Sequence, residues 1–251
     1  QNGVLEMKNK NFDVITIGSV MQDIFTRADL SKVIEMRDSS SEQSFLCFSY
    51  GGKLDVKEVA FTLGGGGCNT AVSLARMGFK TANVGMVGKD DIGGQVIKTL
   101  KKEGVDTSFL FRDPASKTGL SVVLNSFEGE RTILVYRGAN SYLDPAKFDW
   151  KKLADTKWLY LCGITGRANG ILEKLPAFIK KYKIKLAWNP GSQQINAGTE
   201  QLKKILAVTD VLIMNKEEAA KFTGEEPSFH VIDEKKCNGC GDCTNICPQG
   251  I

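Results

Sequence analysis

Three groups of residues in this 251-residue sequence carry side chains fit for chemistry. Asp23 stands five residues beyond Gly18, the glycine that closes the apolar run FDVITIG. A carboxylate there can accept hydrogen bonds from two neighbouring hydroxyls of a polyol, or it can cap a turn. Gly64, Gly65, Gly66 and Gly67 run together ahead of Cys68 and Asn69. Successive glycines let backbone N–H groups approach a ligand with no Cβ in the way. A helix after them would turn its positive end to the same place, and the Asn69 amide offers both a donor and an acceptor. A purely structural turn is the other reading of the glycines. The third group is four cysteines, Cys237, Cys240, Cys243 and Cys247, crowded into the last fifteen residues. Such crowding points to metal or cluster ligation before disulfides.

These groups need elements to position them. FDVITIGSV has the length and β-branching of a buried strand. LCFSYGGKLDVKEVAFTLG suggests a hairpin lying outside a main sheet, and four glycines in a row argue against regular structure until Asn69. Beyond Asn69, Ala71, Leu74, Ala75 and Phe79 recur at helical spacing. TANVGMVG reads as a strand, and GGQVIKTLKKEGV as a helix closed by Gly104. TGLSVVLN and RTILVYRG form two strands joined across FEGE. From WLYLCG onward, strands (WLYLCG, IKLAWNPG, DVLIMN) alternate with helices (ILEKLPAFIKKYK, LKKILAVT, KEEAAKFTG). That alternation predicts βαβ units on a parallel sheet, hence an α/β fold with a small antiparallel accessory piece near the front. At Glu225 the periodicity stops, and the expected boundary falls there.

Composition supports a packed core: 42% of residues are hydrophobic and 25% charged. The net charge of +4 is spread without a basic block, so nucleic acid is not an expected partner. No apolar run approaches the roughly 20 residues that span a bilayer, and the N-terminus lacks a secretion-signal pattern. A cytoplasmic protein without a membrane partner is the expectation. Residues 1–11 read as a disordered or non-native leader.

Taken in order, GSVMQD, GGGGCNTAVSLARMG, VGMVGKDDIGG, TGLSVVL, RGAN, NPG and MNKEEA resemble the successive signature segments of the PfkB (ribokinase-like) carbohydrate kinases. The resemblance covers residues 12–224 and implies a three-layer α/β/α fold with a mostly parallel sheet and a small β lid. It implies that Asp23, Gly65, Gly66 and Asn69 contact hydroxyls of a sugar or nucleoside acceptor. It further implies that Asn215 and Glu218, as N-x-x-E, organise Mg²⁺ and the phosphates of ATP; by themselves they read as a helix N-cap with an acidic first turn. Segments around 20–60 and 118–136 would form the lid, which in the family often pairs two subunits into a homodimer.

Two departures qualify the resemblance. Ribokinases proper carry a sugar-binding Glu where this chain has Gly163, which puts ribose in doubt. The family's G-A-G-D segment, with its anion hole and the Asp base, has no counterpart after Gly224, so no residue here is assigned as catalytic. The expected kinase domain is therefore incomplete at its C-terminal side, with impaired phosphoryl transfer.

The cysteine run, C-x-x-C-x-x-C-x-x-x-C-P, resembles one half of a bacterial ferredoxin over residues 225–251. In that pattern three thiolates hold a 4Fe–4S cube and the fourth ligates a second cluster. Zinc is the competing reading, although zinc pairs are usually separated by a longer loop. Cys47, Cys68 and Cys162 stand alone, and His230 reads as a surface residue. Both segments break off within a motif, and the simplest expectation is a join of two unrelated coding fragments or an incomplete product. An iron–sulfur electron-transfer or redox protein is the alternative to the kinase.

Overall fold

The structure, a computed structural model, describes residues 10–27, 32–37, 42–125 and 131–225. The four clustered cysteines, His230 and the FEGE turn lie outside the described residues.

Strand β1 (Phe12–Ile17) is the centre of a six-stranded, all-parallel sheet. Its other members are β6 (Thr81–Gly88), β7 (Leu110–Asp113), β10 (Thr156–Leu161), β11 (Lys185–Trp188) and β12 (Val211–Leu212). The strand order is β12-β11-β10-β1-β6-β7. β1 pairs β10 with Ile17 beside Leu161, and β6 with Ile17 beside Val84.

Alternation along the strands sorts side chains onto two faces. Ile15, Ile17, Ala82, Val84, Leu159, Leu161, Leu186 and Trp188 face one side. Helices α3 (Trp150–Leu153), α4 (Ile171–Tyr182), α5 (Ser192–Gln201), α6 (Lys203–Leu206) and α7 (Lys216–Thr223) contribute to that core, with Phe222 edge-on to Trp188. Helices α1 (Gly66–Arg76) and α2 (Asp91–Lys102) cover the other side through Cys68, Ala71, Val72, Val96 and Leu100. The expected three layers are present. All eight residues of β6 are buried, as a strand covered on both faces must be. Among the described residues, no helix is long and apolar enough to cross a membrane.

The accessory piece is a separate sheet. β2 (Met21–Arg27) pairs antiparallel with β5 (Glu58–Gly64) and parallel with β8 (Gly119–Asn125), which in turn pairs antiparallel with β9 (Arg131–Tyr136). β3 (Lys32–Arg37) and β4 (Glu42–Cys47) form a ribbon of their own. The hairpin expected over residues 46–64 is thus replaced by two different pairings. Gly51 does turn the chain, at φ +70°. The strands on either side of it find their partners earlier in the sequence.

Two further expectations change. Gly66 and Gly67 are the first residues of α1 rather than part of an irregular loop, with Gly65 at the cap. Helix α5 has no counterpart in the sequence reading: SQQINAGTEQ is polar and contains Gly198, which kinks it at φ +72°. Such a segment gives little helical periodicity to read.

At the front, Asn11 donates its backbone N–H to Asp155 Oδ1 over 3.1 Å, and its side-chain amide also bonds that carboxylate.

Candidate functional site

The order of the strands locates the site before any side chain is considered. From β1 the chain builds outward through β6 and β7, then returns to the other flank of β1 through β10, β11 and β12. A parallel sheet opens a crevice at the carboxyl ends of its strands where its winding reverses. Here that point lies between Gly18–Ser19, after β1, and Cys162–Gly163, after β10. Gly18, Ser19, Met21, Asn140, Gly163 and Thr165 line a crevice there.

The glycine run is built into this crevice. Gly65 holds φ +91° and ψ 137°, and a Cβ on it would lie 2.4 Å from the carbonyl oxygen of Ser19. That carbonyl accepts the Cys68 N–H at 3.2 Å, and Ser19 Oγ accepts the Gly66 N–H at 3.2 Å. Beneath the helix start, Asn83 Nδ2 donates to Thr16 Oγ1 at 2.7 Å, and Thr16 Oγ1 donates to the Gly67 carbonyl at 2.9 Å. Thr16 and Asn83 are fully buried, so this pair fixes the first turn of α1 from below. Asn140 brackets Val20, accepting its N–H at 2.8 Å and donating to its carbonyl at 2.9 Å.

The segment VGKDD plays a similar structural part. Asp90 accepts from the Gly93 amide and from both the amide and the hydroxyl of Thr118, at 2.6–2.8 Å. Burial alone would raise its carboxyl, but the Thr118 and Gly93 bonds outweigh it and hold the group below the usual carboxylate range. Asp90 thereby joins α2 to the root of the lid.

Asp23 lies half-buried on lid strand β2. Its carboxylate receives a hydrogen bond from Ser121 Oγ on β8 and fills the space where a Cβ on Gly64 would be, 2.1 Å from Oδ1. Asp23, Gly64, Gly65 and Cys68 are therefore gathered in one place. Burial, aided by the Asp23 charge, pushes the Cys68 thiol up to about 12, and burial does the same to Cys162. Both sulfurs stay protonated near neutral pH and act as packing groups, not as nucleophiles. Asn69, in the first turn of α1, is exposed and makes no side-chain hydrogen bond among the described residues. It lines a groove of about 580 Å³ with Thr62, the cross-strand partner of Asp23. Gly66 is exposed at the same helix start.

Asn215 and Glu218 sit at the far side of the sheet, after β12. They close a reciprocal capping box: Asn215 Oδ1 accepts the Glu218 N–H at 2.7 Å, and Glu218 Oε2 accepts the Asn215 N–H at 3.1 Å. The other carboxylate oxygen of Glu218 has no partner among the described residues. Gly163, at the position of the missing acidic side chain, backs onto Gly191, and a Cβ there would lie 2.6 Å from Gly191 Cα. No side chain fits at Gly163 without moving that backbone.

Sequence reasoning did not find Ser19, Thr16, Asn83 or Ser121. Ser19 lies inside a recognised segment, GSVMQD, and Ser121 inside another, TGLSVVL, but neither was singled out. Thr16 and Asn83 had no local signal, since each acts on a residue more than fifty positions away.

Comparison with known proteins gives consistent matches. Residues 12–236 match the family described as pfkB family carbohydrate kinase, and residues 230–251 match 4Fe-4S binding domain. A ribokinase of Haemophilus influenzae is 29% identical over 174 residues, covering 68% of this chain and 53% of that protein. A ribokinase of Staphylococcus aureus is 26% identical, covering 77% of this chain and 64% of its own length. The solved structure of Arabidopsis thaliana ribokinase complexed with ribose and ATP superimposes with a TM-score of 0.68 at 20% identity, covering 87% of this chain and 65% of that one. The chain spans about half to two thirds of the length of these relatives.

Proposed function

The chain belongs to the pfkB family of carbohydrate kinases, and from that premise we propose that it serves ATP-dependent phosphoryl transfer to a hydroxyl of a sugar or nucleoside. The observation that carries this reading is the carboxylate of Asp23, held beside the glycine turn on the lid strand that leaves the crevice after Gly18 and Ser19. In this reading Asp23 accepts hydrogen bonds from acceptor hydroxyls, the backbone at Gly65 and Gly66, bare of any Cβ, lets the ring approach closely, and Asn69 adds a donor and an acceptor. The closed wall at Gly163 supports an acceptor other than ribose, because an acidic side chain has no room there.

Asn215 and Glu218 fit a role toward Mg²⁺ and ATP: both offer oxygen, and Glu218 keeps one carboxylate oxygen outside its capping box. A hard cation takes such ligands directly or through water. When bound, Mg²⁺ neutralises phosphate charge; the chain's own contribution is to orient those oxygens at the start of α7. The exposed lid side chains Phe61, Leu134 and Tyr136 support a homodimer formed through the lid, and a cytoplasmic setting accords with the reading.

We place the working division at residues 12–224 and 225–251, although the two family matches overlap across residues 230–236. Turnover in the family rests on the G-A-G-D segment, so a version carrying it is expected to be the faster. A missing base costs roughly 10²–10⁴-fold and a missing anion-hole donor roughly 10²–10³-fold. The test is ADP release with D-ribose, D-fructose and nucleosides offered singly, for this chain and for a version extended through a G-A-G-D segment. Acceptor-dependent ADP release, faster in the extended version, is the expected result. No acceptor-dependent release from either version sinks the proposal.

A second reading is carried by the 4Fe-4S match at residues 230–251. Cys237, Cys240 and Cys243 would hold one cube, with Cys247 directed to another cluster, and the bound group would supply one-electron transfer. Among the described residues no group of three His, Cys, Asp or Glu gathers to hold a metal. Anaerobic reconstitution with iron and sulfide should give a brown protein with broad absorbance near roughly 400 nm, lost in Cys237→Ser. Protein that retains no iron after desalting rules the cluster out.

A further inference from the structure

Ser121 is 4% exposed, in the middle of β8. The parallel pairing of β2 with β8 puts it directly beside Asp23, ninety-eight residues earlier. Its hydroxyl donates to Asp23 Oδ1, and that carboxylate is the only side-chain partner it has among the described residues. On the opposite flank β5 brings Gly64 against the same carboxylate, where any Cβ would collide with it. The carboxylate thus sits in a slot with a donor on one side and a missing side chain on the other. Asp23 Oδ2 has no hydrogen-bond partner among the described residues.

We propose that Ser121 is a positioning residue of the acceptor site: its hydroxyl fixes the Asp23 carboxylate in one rotamer, with Oδ1 engaged and Oδ2 presented to the acceptor hydroxyls. The inference rests on the acceptor role of Asp23 given above. An aspartate with no such bond samples several staggered rotamers, and ordering it on binding would weaken the acceptor complex. A hydrogen bond from a neutral hydroxyl to a carboxylate removes that freedom beforehand and is stronger than a neutral pair. Ser121 also ties β2 to β8, so the acceptor group and the lid strand beside it move together.

The experiment is calorimetric binding of D-ribose, D-fructose and adenosine to the wild type, Asp23→Ala, Asp23→Asn, Ser121→Ala, Ser121→Thr and the Asp23→Asn/Ser121→Ala double variant, with thermal melts of each. Ser121→Ala should weaken the acceptor that binds by about tenfold or more, the worth of one hydrogen bond to a charged group. The affinity for a non-hydrolysable ATP analogue should not change, and Ser121→Thr should restore acceptor binding. In the Asp23→Asn background the hydroxyl meets a neutral amide oxygen, so the same change should cost less than it does beside the carboxylate, which a merely structural serine would not produce. Should Ser121→Ala melt early, Ser121→Cys keeps the volume, weakens the donor and carries the same comparison. Wild-type acceptor affinity in Ser121→Ala or Ser121→Cys, alongside a loss in Asp23→Ala, overturns the Ser121 role alone. If none of the probes binds, or Asp23→Ala binds as the wild type does, the acceptor reading falls and the Ser121 role with it.

Discussion

Asp23→Ala is expected to weaken binding of the acceptor sugar or nucleoside by roughly 10²- to 10⁴-fold. A carboxylate that accepts two hydroxyl hydrogen bonds forms charge-assisted contacts worth about 1.5–3 kcal/mol each, and every 1.4 kcal/mol is about tenfold in affinity. The substitution also leaves the buried Ser121 hydroxyl without its partner. That adds a stability cost of about 1–3 kcal/mol, seen as a fall in Tm of roughly 2–4 °C per kcal/mol for a chain of this size. The two effects separate cleanly, since melting is read without ligand and affinity by calorimetry on protein that is folded at the working temperature. Asp23→Asn keeps the shape and removes the charge, and should fall between the wild type and the alanine variant. An Asp23→Ala protein whose acceptor affinity lies within about threefold of the wild type, well below the cost of one such bond, would remove Asp23 from the site.

Gly65→Ala should lower stability by about 2–4 kcal/mol, backbone strain and a steric clash together. Gly65 combines φ +91° with ψ 137°, a conformation that costs an L-residue roughly 1–3 kcal/mol. The new Cβ would meet the Ser19 carbonyl oxygen at 2.4 Å and its carbon at 2.7 Å, and backbone cannot swing aside as a flexible side chain does. Relief by moving Ser19 would break the bonds from its carbonyl to Cys68 N–H and from its hydroxyl to Gly66 N–H, so acceptor binding should fall with Tm. Gly94→Ala is the paired control. Gly94 lies inside α2, and a Cβ added to it would meet nothing within 4 Å. Alanine there should stabilise by up to about 1 kcal/mol. Differential scanning calorimetry of both variants decides the matter: a Gly65→Ala protein that melts with the wild type contradicts the turn geometry.

The parts of this molecule that were legible in the sequence are those set by neighbours in the chain. Strand β6 and helix α2 follow from period and turn residues in TANVGMVG and GGQVIKTLKKEGV, with Gly104 at φ +81° where the helix was expected to stop. Helix α7 ends at Gly224 in the left-handed region for the same reason. Asn215-x-x-Glu218 shows the limit of such reading. One spacing serves a capping box and a cation-organising pair alike, and the box is what the geometry contains. Of the accessory strands, β8 and β9 were read both as strands and as partners, as they are; the hairpin expected over residues 46–64 was mispaired and β2 and β3 were not read, because hydrogen-bonded ladders do not record in local spacing which strand lies opposite.

The sequence by itself determined the alternation of strand and helix and the family resemblance, and it put forward the residues proposed for an acceptor: Asp23, the glycine run and Asn69. Only the tertiary structure decided that Ser121 and Gly64 flank the Asp23 carboxylate, that Thr16 and Asn83 hold the first turn of α1, and that Gly163 closes against Gly191. The physical reason is the range of the forces involved. Dihedral preference and amphipathic period act within a few residues. Sheet order and register are set by the burial of whole faces, and they bring together groups from 28 to 98 positions apart.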